Sequence, residues 1–518
     1  MSKKRLSLGL AALMLAGCAV KPDPITLEQH QRRIFDDVAK LNAVSVPLTT
    51  TLTLDEAVAR GLLYNLDHKV QIMEEVLQGA RLTVANIDML PTLAANAGYE
   101  DRSSERATQS TTLFSRRTSV EPSFSEDAEI RDADLTFSWN VLDFGLSYFR
   151  AKQQADRALI AVEKRRRVMN NLSLQIETAY LEALTAQRLL PRVERLIRQA
   201  DQAERRSAQI EREGLQSSVA ALEYRRNLVQ VVTSLKELKS SLAISKSRLA
   251  SLMNLPAGTH FRLANHRQDR LPKLNVKLGE LQNYGLLYRP EIREAAYQTR
   301  IDRESVNQEI LNIFPELSII ASANSSSNKL LFDNEWRQAG LRATWNLINL
   351  VRGRKSVDAA KQQVKISDAR RLALTAAILV QVSIGVTEYD QAVDSYGSAL
   401  KLSNIEGRIL RIASASAAED EGTELDRIQR AAQAISAELN RDNAYVEARL
   451  ALSRLLVSIG LDLLPPDAQF TDLARTKAIV GTAQAKINAG QLSSILNANA
   501  PKTILAAARQ PKPRKARR

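Results

Sequence analysis

Gly61-Leu62-Leu63-Tyr64 returns as Gly285-Leu286-Leu287-Tyr288, and around it residues 54–91 align with residues 278–315 without a gap. Both copies continue as Pro-x-Leu, in Pro91-Thr92-Leu93 and Pro315-Glu316-Leu317. Further on, Trp139-Asn140-Val141-Leu142 is answered by Trp345-Asn346-Leu347-Ile348. Each half then enters a long stretch that begins near Ala151-Lys152-Gln153-Gln154 and Ala360-Lys361-Gln362-Gln363. Matches that keep their order mark a duplicated unit of roughly 200 residues.

Periodicity gives the elements of each unit. Residues 55–88 and 279–312 read as helices that stop before their prolines. Alternating segments come next. Leu93, Ala95, Ala97 and Tyr99 share one face, and so do Ala133, Leu135, Phe137, Trp139 and Val141. The second unit offers Leu317, Ile319, Ala321 and Ala323, then Ala339, Leu341, Ala343, Trp345 and Leu347. Such segments have about the 9–11 residues of a tilted membrane strand; two soluble hairpins would show the same alternation. The polar segments 101–131 and 324–336 read as exposed loops. Beyond each strand pair, apolar residues step by threes and fours, as in Met169, Leu172, Ile176, Ala179 and Ala183, which predicts long helices packed side by side. A helix over residues 150–212 would run about 95 Å, with Pro191 interrupting and bending it.

Of the 518 residues, 44% are hydrophobic, 25% charged and 5% aromatic, with 19 glycines and 15 prolines. That mixture favours long helices over a large β-sandwich. The net charge of +14 is partly local: residues 509–518 hold six basic residues and no acidic one. No nucleic-acid-binding motif accompanies it, so nucleic acid is not expected as a partner. The basic tail, 501–518, reads as disordered, either touching an anionic surface such as lipid head groups or simply solvated.

At the other end, Lys3-Lys4-Arg5 precedes the apolar run 6–16, too short to span a bilayer, and reads as a signal peptide. It ends in Leu15-Ala16-Gly17-Cys18, which looks like a bacterial lipobox. That likeness implies acylation of Cys18, the single cysteine, and cleavage before it. Two or three acyl chains anchor stably where one does not. Ala19 after the cysteine points, by lipoprotein sorting logic, to the outer membrane. The expected division is a lipoprotein signal peptide at 1–17, a lipid-anchored linker at 18–51, a first repeat at 52–275, a second at 276–464, and a partly disordered C-terminal segment at 465–518.

Two constraints then combine. A β-segment in lipid must satisfy every backbone group, which only a closed barrel does. Four strands per chain are too few to close one of useful width, so strands must be shared among copies. Long helices with an apolar seam likewise require neighbours.

The residues also resemble a family. Leu52-Thr53-Leu54-Asp55-Glu56-Ala57, Tyr64-Asn65, Leu287-Tyr288-Arg289-Pro290-Glu291-Ile292-Arg293-Glu294-Ala295 and Phe314-Pro315-Glu316-Leu317-Ser318 look like the repeat signature of the TolC-type outer membrane factors. So do Leu249-Ala250-Ser251-Leu252-Met253-Asn254-Leu255-Pro256 and the stretch 450–460. The resemblance covers residues 52–463. It implies a mainly α fold with a small membrane β-barrel part: a homotrimer with four transmembrane strands per subunit and long antiparallel helical hairpins forming an α-barrel. It implies a passive trans-periplasmic export duct for efflux or type I secretion, working with a periplasmic adaptor, an inner-membrane transporter and outer-membrane lipid, and needing no cofactor.

The family's hairpin tips match two glycine turns, which assigns adaptor contact and gating to Gly214, Leu215 and Ser218, and to Gly422 and Thr423; ordinary helix stops would look the same. Six residues after each glycine, many family members carry aspartate, whereas this chain has Ala220 and Ile428. Glu424 and Asp426 stand nearby as candidate pore-mouth acids or solvated surface charges. The rival reading is a periplasmic coiled-coil scaffold or adaptor without a pore. An enzyme is the third. His30, His68, His260 and His266 form no metal-ligand spacing, no nucleophile elbow or phosphate loop appears, and acidic residues at i,i+4 spacings read as solvated helix faces.

Overall fold

The computed structural model describes residues 22–44, 48, 51–213, 218–256, 258–264, 271–416, 424–461 and 472–489. A first helix, α1 (Leu27–Val44), precedes the units. The first unit runs α2 (Leu54–Tyr64), α3 (Leu66–Ile87), β1 (Thr92–Asp101), β2 (Arg106–Thr108), β3 (Ser123–Glu126), β4 (Glu129–Asn140), α4 (Val141–Arg212) and α5 (Ser218–Leu252). The second runs α6 (Leu278–Tyr288), α7 (Pro290–Leu311), β5 (Glu316–Ser326), β6 (Glu335–Thr344), α8 (Ile348–Ser416) and α9 (Glu424–Ser458), with α10 (Leu473–Asn488) after it. Apart from the small β2–β3 pair, the order repeats with nearly equal lengths: 11, 22, 72 and 35 residues for the four helices of the first unit, 11, 22, 69 and 35 for those of the second.

The repeated Gly-Leu-Leu-Tyr does the same thing twice. Gly61 lies against the Ile176 side chain with the Leu252 carbonyl beyond it, and Gly285 lies against Ile378 and the Ser458 carbonyl. In each case a short helix crosses a long one where the return helix ends; a Cβ at Gly61 would displace the end of the Ile176 side chain, whereas one at Gly285 would meet its neighbours at an ordinary 3.4 Å. Each return helix ends in the same turn. Leu255 N–H donates to the Ala250 carbonyl (2.9 Å) with Asn254 at φ +53°, and Leu461 N–H donates to Leu456 (3.0 Å) with Gly460 at φ +70°. These are helix ends closed through a left-handed residue.

The expected single helices 55–88 and 279–312 are each two. The chain breaks at Asn65 (φ −65°, ψ 127°) and at Arg289 (φ −64°, ψ 129°). Asn65 Oδ1 caps α3 by accepting from His68 N–H at 3.1 Å, and Pro290 supplies the first residue of α7 without an N–H to waste. Pro191, expected to interrupt its helix, does not: α4 continues through it. The strands also end sooner than the alternation suggests. Asn140 and Asn346 cap the long helices beside them, accepting from Leu142 N–H (2.9 Å) and Ile348 N–H (3.1 Å). Val141 therefore begins α4, and Trp345 and Leu347 lie beyond β6. Loop 101–131 contains the β2–β3 pair, and residues 324–326 and 335–336 belong to strands.

Three apolar clusters hold the helices. One joins α2, the middle of α4 and the end of α5 through Leu52, Val58, Met169, Ile176 and Leu249. A second runs down the α4–α5–α9 seam through Leu189, Val193, Leu228 and Ile428. The third joins α6, α8 and α9 through Leu281, Ile378, Tyr389 and Leu455.

His68 is buried beside the first of these, with Nδ1 2.8 Å from the Leu62 carbonyl. Burial holds its pKa below the ordinary 6.5, against the raising effect of that carbonyl. The unfolded chain therefore takes up the proton first, so stability falls as pH drops through about 6.5 and continues to fall until the folded value is passed. His68→Gln is expected to flatten this slope. Unfolding midpoints of the two proteins between about pH 7.5 and about pH 5 check it; parallel curves would remove the assignment.

Candidate channel wall and periplasmic tip

The four long strands form one antiparallel sheet in the order β1-β4-β5-β6. Register decides what its faces carry. One row aligns Leu93, Phe137, Ala321 and Ala339; the rows beside it align Ala95, Leu135 and Ala323, and Trp139, Ile319 and Leu341. The opposite face aligns Asn96, Asp134, Asn324 and Trp336, then Ala94, Thr136, Ser322 and Gln338, then Ser138, Ile320 and Gly340, then Asn140, Ser318 and Arg342, and is mainly polar. Asp134 accepts from Asn96 (3.0 Å) and Thr136 (2.7 Å), a polar patch satisfied within its own face. Arg337 and Glu335 join the apolar face only at its loop end. The sheet does not close on itself. Within one chain β1 and β6 are free edges, each with unpaired backbone groups along its outer side.

Below the sheet the helices stand in the order α3, α4, α7, α8, each packed on the next. At 1.5 Å per residue α4 runs about 108 Å. Ion pairs sew it to the second unit in fixed register. Lys152, Asp156 and Glu163 meet Glu304 (3.4 Å), Arg300 and Arg293 (3.1 Å) on α7, so each step along α4 is matched by an equal step back along α7. Lower down, Arg188, Arg192 and Arg206 meet Asp442, Glu438 (2.9 Å) and Glu424 (3.7 Å) on α9 in a second constant register. Between the two sets Glu177 takes Arg449 (2.6 Å) and Ser453 (3.1 Å), all three buried. Arg449 also reaches Asn488 of α10 (2.6 Å), and Lys477 reaches Glu56 (3.0 Å), which fastens α10 across α2 and α9.

These acids correct the sequence reading. Asp156, Glu163, Glu177 and Asp442 are buried, not solvated: i,i+4 spacing within one helix says nothing of a basic residue facing it from another. The signal that could have found them is an Arg or Lys series on one helix running counter to an acidic series on its neighbour.

At the tip, Glu424 opens α9 3.7 Å from Arg206, and Asp426 accepts from Arg430 one turn on (3.1 Å). Both candidate acids are thus partnered by arginine. Ile428 is fully buried in the α4–α5–α9 seam, so an acid at that position would have no water to meet. Gly214, Leu215, Gly422 and Thr423 lie outside the described residues, as do Cys18, Ala19 and the tail 501–518; Ser218 begins α5, and its side chain is not described. His260 is exposed. Among the described residues no three His, Cys, Asp or Glu side chains are grouped to hold a metal ion.

Neither a family model nor a curated protein sequence matches the chain. Solved structures do. The outer membrane channel CmeC of Campylobacter jejuni superposes with a TM-score of 0.65 at 13% identity, covering 85% of this chain and 94% of that one. The open state of the MtrE outer membrane channel of Neisseria gonorrhoeae gives 0.61 at 18%, covering 79% and 89%. The outer membrane protein VceC of Vibrio cholerae gives 0.59 at 14%, covering 79% and 96%. The fold is that of the TolC-type outer membrane factors. Within that fold the sheet runs directly into the helices, α4 following β4 and α8 following β6.

Proposed function

We propose that the chain is one subunit of a lipid-anchored, homotrimeric outer membrane channel, a passive trans-periplasmic export duct for efflux or type I secretion. The observation that carries this reading is the sheet: one apolar face, one polar face and two free edges. A three-copy barrel of twelve strands satisfies the edges, sets the apolar rows in lipid and turns the polar rows toward water. The helices support the same conclusion. Leu372, Val380 and Ile384 on α8 and Leu66, Val70, Met73 and Leu77 on α3 are exposed in a single chain, and these are the two outer helices of the row. A pore-free periplasmic scaffold would have the anchor and the helices but no use for the sheet. The purified protein is expected to migrate as a heat-modifiable trimer and to conduct ions in a planar bilayer. A water-soluble monomer after removal of the acyl chains would sink the reading.

The turns at Gly214, Leu215 and Ser218 and at Gly422 and Thr423 then meet a periplasmic adaptor that couples the duct to an inner-membrane transporter, with Glu424 and Asp426 at the mouth. Replacing Gly214 and Gly422 with isoleucine is expected to impair export while trimers persist in the membrane. Normal export by both variants would return them to ordinary helix stops. Cys18 carries the lipid: Cys18→Ser is expected to lose palmitate labelling and to release the chain from the outer membrane fraction's lipoprotein pool.

A further inference from the structure

One amphipathic element stands exposed in the single chain. All residues of α1 up to Leu41 are exposed, yet Leu27, Ile34, Val38 and Leu41 fall on one stripe at heptad-like spacing. A solitary helix of this length is marginal in water, so the stripe needs a cover. A membrane surface is excluded by reach. The chain after α1 is pinned at Leu52, whose carbonyl accepts from Tyr180 (3.0 Å), about 60 Å down α4 from the sheet. Seven residues lie between Val44 and Leu52, and the eight steps they make extend at most about 28 Å. A helix lying in the membrane plane leaves that gap unbridged. Eight residues lie between Cys18 and Leu27, nine steps that together span about 31 Å at most. With Cys18 held in lipid, α1 must run along the tube, midway between membrane and Leu52.

At that height stands α3, fixed by Glu75–Arg165 (2.5 Å) and Gln78–Gln154 (2.8 Å), about 20 to 40 Å below the sheet. The face of α3 turned away from α4 awaits a second copy. Its two flanks differ. One carries Asp67, Glu74 and Arg81; the other carries Ile72, Val76 and Ile87, all exposed. The polar flank suits a water-filled bore, which puts the apolar flank outside.

We propose that α1 lies antiparallel to α3 on the outside of the tube, its apolar stripe seated in the groove formed where a second copy's α8 closes against α3. The missing wall of that groove explains why α1 stands unpacked in one chain. The proposal rests on the trimeric, lipid-anchored reading above.

Cysteine pairs test it in the full-length protein in membranes. Val38→Cys with Val76→Cys is expected to form an intrachain disulfide, and Val38→Cys with Leu372→Cys an interchain one, seen as a covalent ladder on non-reducing gels. Val38→Cys with Arg81→Cys, on the opposite flank, is expected to form none. Each single-cysteine parent is checked for the heat-modifiable trimer and palmitate label. Trimeric, labelled protein in which neither of the first two pairs joins, or in which the Arg81 pair does, overturns the inference while leaving the channel standing. Parents that are neither trimeric nor labelled overturn both.

Discussion

Gly460→Ala is expected to destabilise the protein by about 3 kcal/mol or more, a sum of two effects. At φ +70° an L-residue costs roughly 1–2 kcal/mol. The new Cβ would also sit 2.6 Å from Arg289 Cα and from the Tyr288 carbonyl carbon. Those are backbone atoms at the α6–α7 break, which cannot rotate aside, and overpacking of this kind typically costs about 1–3 kcal/mol more. The equivalent position in the first unit supplies the control. Asn254 holds the same conformation at φ +53° and already carries a Cβ, so Asn254→Gly is expected to be neutral or to stabilise by up to about 1 kcal/mol. Denaturant midpoints of the three proteins measure both. A Gly460→Ala protein as stable as the parent would mean that the α9 end and the α6–α7 break separate easily.

The second large effect is expected at the Glu177–Arg449 pair. Burial, the largest single influence, would push the Arg449 guanidinium down, but Glu177 together with Tyr445 and Tyr389 offsets it and the net direction is up. Glu177→Ala strands a buried cation and is expected to cost about 3–5 kcal/mol. The double variant Glu177→Leu, Arg449→Met removes both charges and is expected to recover most of that loss, because well-packed apolar replacements of buried pairs are often neutral or better. Urea unfolding midpoints of the three proteins distinguish the cases. Equal losses in the single and double variants would show that shape, not charge, holds α4 to α9 here.

The sequence made the helices and the alternating strands legible because each is a local or periodic property. The breaks at Asn65 and Arg289 were visible in principle, since Tyr-Arg-Pro announces a helix start, but the first copy has no proline and a continuous apolar pattern hid the joint. Val141 fooled the alternation because the asparagine before it is both a strand residue and a cap. The buried acids were illegible for a different reason. Whether Glu163 faces water depends on Arg293, 130 residues away, as well as on Arg166 one turn along its own helix, and only the second of these is recorded by spacing within the helix. The tip glycines remain as the sequence presented them, a matter for export assays.

The pairs between α4 and α9 do not all feel the solvent alike. Glu177 and Arg449 show side-chain exposures of 11% and 5%, whereas Arg206 and Glu424 show 60% and 34%. Dissolved salt screens the second pair far more than the first. Raising ionic strength therefore frays the α4–α9 seam first at its Glu424 end, while its grip near mid-length stays firm: the same stitching that is permanent at the waist is conditional at the hem.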